Sequence, residues 1–447
     1  MEKVNRIVIL GAAESGVGAA LLAKKKGMEV FVTDSGKIKI EYKKILIDNK
    51  ILFEQEEHTP ELILNATEII KSPGISEKAE IIKTIRAKGI PIISEIEFAS
   101  RYTNSTIIAI TGTNGKSTTT SLTYHILDKA GYEVSLVGNI GKSFAKQVSE
   151  KDTAYYVIEI SSFQLDDCYE FHPHVAVILN ITENHLDRYH YSMEEYTAAK
   201  LRIIQKLARK DYLIYGHDSK LLKNSLSAHP TPAQRAPFSL EQKLEQGAWI
   251  DNDKIIFHLN PNTFTMNLYD LGLHGKHNQF NSMAAGLAAS AVGVKSDTIR
   301  ESLADFHSLE HRLEFVASVH GVEFVNDSKA TTVDAVWYAL ESIERPIIWI
   351  AGGVDKGNDY SKLVDLVKGK VKAIVCLGKD NRKIHDAFSK VVDLIVNTES
   401  AEDAVRSAYH FSNPGDVVLL SPACASFDLF QNFEERGRKF KEAVKVL

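Results

Sequence analysis

The early part of the chain alternates short β-branched runs with stretches of helical periodicity. Ile7–Leu10 leads into Gly11-Ala-Ala-Glu-Ser-Gly16-Val-Gly18 and a helical stretch to Lys26. Glu29–Thr33 follows, closing at Asp34, then Glu68–Ile70, closing at Lys71-Ser-Pro-Gly74, with Pro91–Ser94 as a last strand. Strand, crossover helix, strand is the rhythm of a parallel sheet. The polar stretch Arg101–Ser105 reads as a linker. A second region opens on the buried-strand run Thr106–Ile110, a loop 111–118 and a helix over about 119–130, followed by strands Ala154–Ile160 and Val175–Ile181. Mixed polarity over 219–269 predicts variable loops and short strands, and the Ala-rich run Asn281–Val292 predicts a helix. A third region begins near Glu310, with strands at Pro346–Ile350, Ala373–Leu377, Leu394–Val396 and Val417–Leu420. The pattern divides the chain at 1–102, 103–309 and 310–447.

Length agrees with that division, since 447 residues exceed one ordinary core and suit about three domains of roughly 150 residues. Hydrophobic residues at 44% and charged residues at 25% are the balance of a soluble globular protein. A formal net charge of -5 gives no reason to expect nucleic acid or an anionic membrane as partner. No apolar run approaches a membrane span, and the charged start meets its first strand without a signal-peptide core. The three cysteines (Cys168, Cys376, Cys424) form no CxxC pair, which suits a reducing cytoplasm.

The strongest chemical signal is Thr111-Gly-Thr-Asn-Gly-Lys-Ser-Thr118 between a strand and a helix. Gly112 and Gly115 let backbone N–H groups approach phosphate oxygens, Lys116 reaches the outer phosphates, and Ser117 supplies a hydroxyl for Mg²⁺ at a helix N-terminus. Ile110 stands where the strict phosphate-loop pattern has its first glycine. Glu159 closes the next strand, where a metal-binding carboxylate belongs; a solvent-facing glutamate is the plainer alternative. His185 and Asp187 emerge at the same sheet edge, as ligands or as structural hydrogen-bonders. Lys200, on a helix, reads on its own as an exposed lysine.

The Gly11 loop lacks the second glycine of a dinucleotide fingerprint, having Ala13, although Gly16 matches the third and Asp34 ends the second strand. It is a tight turn or a nucleotide-diphosphate site. In the third region, Asn326-Asp-Ser-Lys-Ala-Thr331 and Ser421-Pro-Ala-Cys-Ala-Ser426 follow strands and read as helix starts or as an anion site. Cys424 has no neighbouring histidine to activate it and is not read as a nucleophile.

Together these segments resemble the Mur ligases, in their D-glutamate-adding branch. The variant loop Gly112–Ser117, the run Asn180-Ile-Thr-Glu-Asn-His-Leu-Asp-Arg-Tyr189, His311-Arg312, Asn326–Thr331 and Leu420–Ser426 carry the likeness over essentially the whole chain. The resemblance implies an α/β chain with a Rossmann-like first domain, a central P-loop ATPase-type domain with a mostly parallel sheet, and a Rossmann-like last domain. It implies an ATP-dependent ligase that adds D-glutamate to UDP-N-acetylmuramoyl-L-alanine through an acyl-phosphate, using two Mg²⁺ ions, as a cytoplasmic monomer in peptidoglycan synthesis. ATP would meet Gly112, Thr113, Asn114, Gly115, Lys116, Ser117 and Thr118, with Asn278, His311, Arg312, Asp327 and Lys329 around the nucleotide. Ser117, Glu159, His185 and Lys200, the last as a carbamate, would serve the metals, and His185 could help take the proton of the amine. Ser15, Asp34, Ser35 and Gly74 match the uridine-diphosphate end, Asn139 and Gln164 the sugar, and Thr331, Lys356, Ser426 and Phe433 the D-glutamate pocket. Departures are Thr332 in place of Asn, Gly36 where some relatives have Arg, and Glu14, an acid beside the diphosphate site. The alternatives are a sister ligase for another amino acid, an NAD-dependent dehydrogenase, and a non-catalytic nucleotide-binding module.

Overall fold

Each β-branched run that closes on a turn residue becomes a strand. The computed structural model describes residues 5–183, 186–273, 275–306, 310–343, 345–355 and 357–447. These form two compact units, one of residues up to 272 with 278–306 and one of 273–277 with the residues from 307 on. The first unit contains two sheets. Its N-terminal sheet comprises β1 (Arg6–Leu10), β2 (Glu29–Asp34), β3 (Leu52–Gln55), β4 (Glu68–Lys71) and β5 (Ile92–Ser94), in the order β3-β2-β1-β4-β5 and all parallel. Val8, Ile9 and Leu10 are fully buried because helices cover both faces of such a sheet. The helix Glu14–Lys25 begins directly over the Gly11 turn. A Cβ on Gly16 would lie 1.9 Å from the Gly11 carbonyl oxygen, so only glycine allows this close approach.

The central sheet has nine strands: β6 (Thr106–Thr111), β7 (Val134–Gly138), β8 (Tyr155–Glu159), β9 (Val175–Ile178), β10 (Tyr212–Gly216), β11 (Gln234–Ser239), β12 (Gly247–Asp251), β13 (Lys254–Leu259) and β14 (Asn262–Asn267). Their order is β14-β13-β12-β11-β10-β9-β6-β8-β7, parallel from β7 to β12 and antiparallel for β12-β13-β14. The region expected to hold variable loops and short strands has a helix (Lys220–Ala228) and four short strands, which form one continuous ladder. Its strands alternate: in β14 Phe264 and Met266 are buried while their neighbours face water, which dilutes the apolar signal. The loop helix starts at Lys116, ahead of the expected 119, and the Ala-rich helix runs Lys276–Ala291. The strand expected to reach Ile181 ends at Ile178, because the chain turns there to line the phosphate loop.

Buried charge joins these two sheets. Glu97 is fully buried, and its Oε2 accepts the N–H groups of Tyr169 (3.0 Å), Glu170 (3.0 Å) and Phe171 (2.8 Å). Lys71 pairs with Asp167 at 2.9 Å, both buried. Glu95 accepts from the Ser143 hydroxyl at 2.8 Å and from the Ala145 N–H. Each carboxylate is matched by donors, the condition for burying such groups.

The second unit is a six-stranded sheet: β15 (Glu314–Val319), β16 (Val322–Asn326), β17 (Ile347–Ala351), β18 (Val371–Leu377), β19 (Ile395–Thr398) and β20 (Val417–Leu420). The order is β15-β16-β20-β17-β18-β19, with only the edge strand β15 antiparallel. Helices Val333–Ser342, Val364–Lys370 and Arg382–Phe388 pack in one core and Ala401–Phe411 and Phe433–Lys445 in the other, which is the doubly wound arrangement expected. The carboxyl ends of β16, β17 and β20 thus share one edge.

Candidate active site

The phosphate loop is built by its neighbours. Gly112 has φ 153° and Gly115 φ 83°; Cβ atoms there would meet Leu179 Cβ at 2.9 Å and Asn281 Oδ1 at 2.3 Å. Asn180 locks the loop, accepting the Asn114 N–H at 2.9 Å, donating to the Asn114 carbonyl at 3.1 Å, and accepting the Thr113 N–H on its own carbonyl at 2.9 Å. Lys116 Nζ folds back onto the carbonyls of Gly112 (3.0 Å) and Thr113 (2.7 Å), poised over the loop mouth. Ser117 is buried in the first helical turn, beside Thr118. Asn281, whose Oδ1 accepts from Thr119 Oγ1 at 3.3 Å, connects this helix to Asn278.

Two buried groups converge on the loop. Glu159 ends β8 and is 1% exposed; its Oε1 accepts from Asn139 Nδ2 at 2.6 Å, and its buried Oε2 has no hydrogen-bond partner among the described residues. The buried Thr111 hydroxyl at the end of β6 is likewise unpartnered. Orphaned oxygens of this kind suit a hard divalent cation. Lys200 is 1% exposed, contrary to the plain reading of an exposed helix lysine, and its Nζ donates to the Gly112 carbonyl at 2.8 Å. Burial, and then the charge of Lys116, push its amine well below the ordinary lysine range, against the pull of Asp166 and Glu159. His185 lies outside the described residues.

At the first sheet, both Asp34 oxygens are engaged, by Ala12 N–H and Gly36 N–H at 2.8 Å each. Glu14 is met by Lys146 Nζ at 3.5 Å, so its charge is partly countered. Ser15 lies in the first turn of the helix over this loop, and Ser35 directly follows Asp34. Gly74 sits in a loop held from the central region by Arg188, which donates to the carbonyls of Pro73 (3.0 Å), Gly74 (3.4 Å) and Ile75 (3.3 Å) and stacks over Phe163. Gln164 closes a capping box with Ser161.

In the second unit the predicted residues gather at the strand ends. Asp327 is buried, accepting from Ser421 Oγ at 2.9 Å and Leu313 N–H at 3.2 Å, and burial pushes its carboxyl up to about 7. Lys329 lies 5.0 Å over the Phe433 ring, which meets His311 edge-on at 6.2 Å. Arg312 follows His311 and lends Asp327 a favourable charge. Thr331 N–H donates to the Lys329 carbonyl and Ser426 is buried, while Lys356 lies outside the described residues. Thr332 caps the next helix, accepting the Ala335 N–H at 3.3 Å, a role that accounts for its side chain. Burial pushes the Cys424 thiol up to about 11, consistent with an inert cysteine. Three residues in particular escaped assignment from sequence: Asn180, Arg188 and Arg436. The first two stand inside a motif without a visible task, and the third is an ordinary-looking helical arginine.

A phosphate loop on a mostly parallel central sheet, preceded and followed in the chain by Rossmann-like sheets, is the architecture of the Mur ligases. Residues 6–81 match the MurD N-terminal domain, 110–289 the Mur ligase middle domain and 311–424 the Mur ligase, glutamate ligase domain. The UDP-N-acetylmuramoylalanine--D-glutamate ligase of Christiangramia forsetii is 51% identical over 443 residues, covering 99% of this chain and 100% of the relative. That of Bacteroides thetaiotaomicron is 48% identical over 445 residues, at 99% and 100%. The fold is also that of MurF ligase from Thermotoga maritima in complex with ADP, with a TM-score of 0.63, 16% identity, and coverage of 100% and 99%. The chain belongs to the Mur ligase family, in the branch of the UDP-N-acetylmuramoylalanine--D-glutamate ligases.

Proposed function

We propose that the protein joins D-glutamate to UDP-N-acetylmuramoyl-L-alanine at the expense of ATP. The observation that carries the reading is the convergence of Lys116, Glu159 and Lys200 on one phosphate loop in a chain whose relatives bear that activity by name. The substrate carboxylate attacks the γ-phosphorus, the bond to the bridging oxygen breaks, and an acyl-phosphate and ADP form. The amine of D-glutamate, having lost a proton, then attacks the acyl carbon and inorganic phosphate leaves. Phosphorylation is needed because a carboxylate has no adequate leaving group. Lys116 neutralises charge on the transferring group. Glu159, Thr111 and Ser117 would hold Mg²⁺, which when bound screens the phosphate charge. The neutral amine of Lys200 can attack CO₂, release a proton and become a carbamate, adding an oxygen ligand to that set. The first domain (1–102) takes the UDP-sugar, the second (103–309) ATP, and the third (310–447) D-glutamate, and the enzyme works as a cytoplasmic monomer on small molecules. Among the described residues no helix is long and apolar enough to cross a membrane.

The test is phosphate release from Mg-ATP with UDP-N-acetylmuramoyl-L-alanine, comparing D-glutamate, L-glutamate, L-alanine and no amino acid. Release with D-glutamate alone, and a product heavier by one glutamyl residue, is expected. Release with another amino acid moves the protein to a sister ligase; none with any sinks the ligase reading.

A further inference from the structure

Arg436 lies on the helix Phe433–Lys445, 1% exposed, inside the second unit. Its Nε donates to Ser328 Oγ at 3.0 Å and its Nη2 to the Ser328 carbonyl at 2.8 Å. Its Nη1 donates to the carbonyls of Cys424 at 3.1 Å and Gly352 at 3.5 Å. Ser328 follows β16, Gly352 follows β17 and Cys424 follows β20, so one guanidinium binds all three loops at the carboxyl edge of the sheet. Ser328 Oγ in turn donates to the Phe433 carbonyl at 2.8 Å, closing the ring back to the start of the arginine's own helix. The first loop continues into Thr331 and the third into Ser426, both proposed for the amino-acid pocket, and Phe433 opens the helix.

We propose that Arg436 is a positioning residue for the amino-acid pocket, tying three strand-end loops into one register. The inference rests on the reading of the second unit as the amino-acid side. Only a planar fork can serve divergent carbonyls on three loops at once; a lysine presents all its donors from a single nitrogen. The four acceptors are neutral oxygens, and the carboxylates of Asp428 and Asp327 balance the charge from further off. Burial lowers the group to about 10, and it remains a cation at neutral pH.

The experiment is steady-state kinetics of the full-length Arg436→Lys enzyme, with each substrate varied in turn. The KM for D-glutamate is expected to rise about tenfold, as loss of a forked charged contact implies, with the KM values of ATP and the UDP-sugar within about twofold. A D-glutamate KM within twofold of wild type overturns the proposal, as does a parallel rise of all three KM values, which would mean general loosening. Should that variant not fold, Ser328→Ala, which removes one leg of the fork, decides: a rise of about threefold in the D-glutamate KM alone supports the proposal and no rise overturns it. If the wild type prefers another amino acid, the D-glutamate reading falls, and the proposal is judged on the KM for that amino acid instead.

Discussion

The first unit contains two glycine loops of the same local design, a strand, a tight turn with positive φ at Gly11 or Gly112, and a helix, yet they present opposite chemistry. At the phosphate loop the helix opens on Lys116 and Ser117, and among the described residues the buried Glu159 Oε2 and Thr111 Oγ1 have no hydrogen-bond partner. At the Gly11 loop the helix opens on Glu14, already facing Lys146, and both Asp34 oxygens serve the turn itself. One loop keeps bonding capacity in reserve and the other consumes it. The backbone turn presents N–H groups in either case; the two loops differ in the residue at the helix start and in the carboxylate on the adjacent strand.

Lys116→Ala breaks the contrast most directly. Turnover should fall by about a thousandfold, some 4 kcal/mol of lost transition-state stabilisation, and near-normal phosphate release would show that charge at the helix start is not the deciding feature. Gly16→Ala attacks the other loop through shape alone. Its Cβ would meet the Gly11 carbonyl oxygen at 1.9 Å, so the backbone must shift, and denaturant titration should register a loss of about 2–4 kcal/mol. Unchanged stability would mean that the turn is not held this tightly.

Glu95 tests whether the two loops sit on one rigid body. Burial is the main reason that its carboxyl rises from 4.5 to about 7, and the charge of Glu14 adds to it, against donors from Ala145 and Ser143. The folded chain therefore binds more protons than the unfolded chain between those values, and stability contributed at low pH is lost as pH rises through that window. Glu95→Gln should be more stable than wild type by about 1–2 kcal/mol at pH 8 and no more stable at pH 5, by thermal unfolding at both. An equal gain at the two pH values would refute the titration. The smallest effect is expected from Glu14→Gln: with Lys146 opposite, the KM for the UDP-sugar should change by less than about threefold. A tenfold tightening would reveal that this carboxylate does repel the diphosphate.

Much of the fold was legible because parallel strands buried on both faces read as continuous β-branched runs: β1, β6, β17 and β20 fall within a residue of where the pattern places them, and β9 starts where expected but ends earlier. The strands that escaped include β3 and β7, edge or half-exposed elements whose apolar content is diluted by solvent-facing neighbours, and the same dilution left the short strands β11 to β14 without bounds; β10 escaped although it is interior and mostly buried. The phosphate loop was legible for a different reason, since its glycines, Lys116 and Ser117 are contiguous and each has a fixed task.

The sequence by itself determined the class of chemistry: three α/β regions, a phosphate loop and the Mur ligase family follow from local periodicity and from motifs short enough to be read in one line. Only the tertiary structure decided what becomes of the isolated charges. Lys200 is buried against the Gly112 carbonyl, Glu159 keeps one oxygen unpartnered, Asp34 is spent on its own turn, and Arg436 joins three loops that are far apart in the chain. The reason is physical. The character of a lysine, an acid or an arginine is set by its desolvation and by the partners brought to it, and both arise from contacts between residues that the linear sequence does not place together.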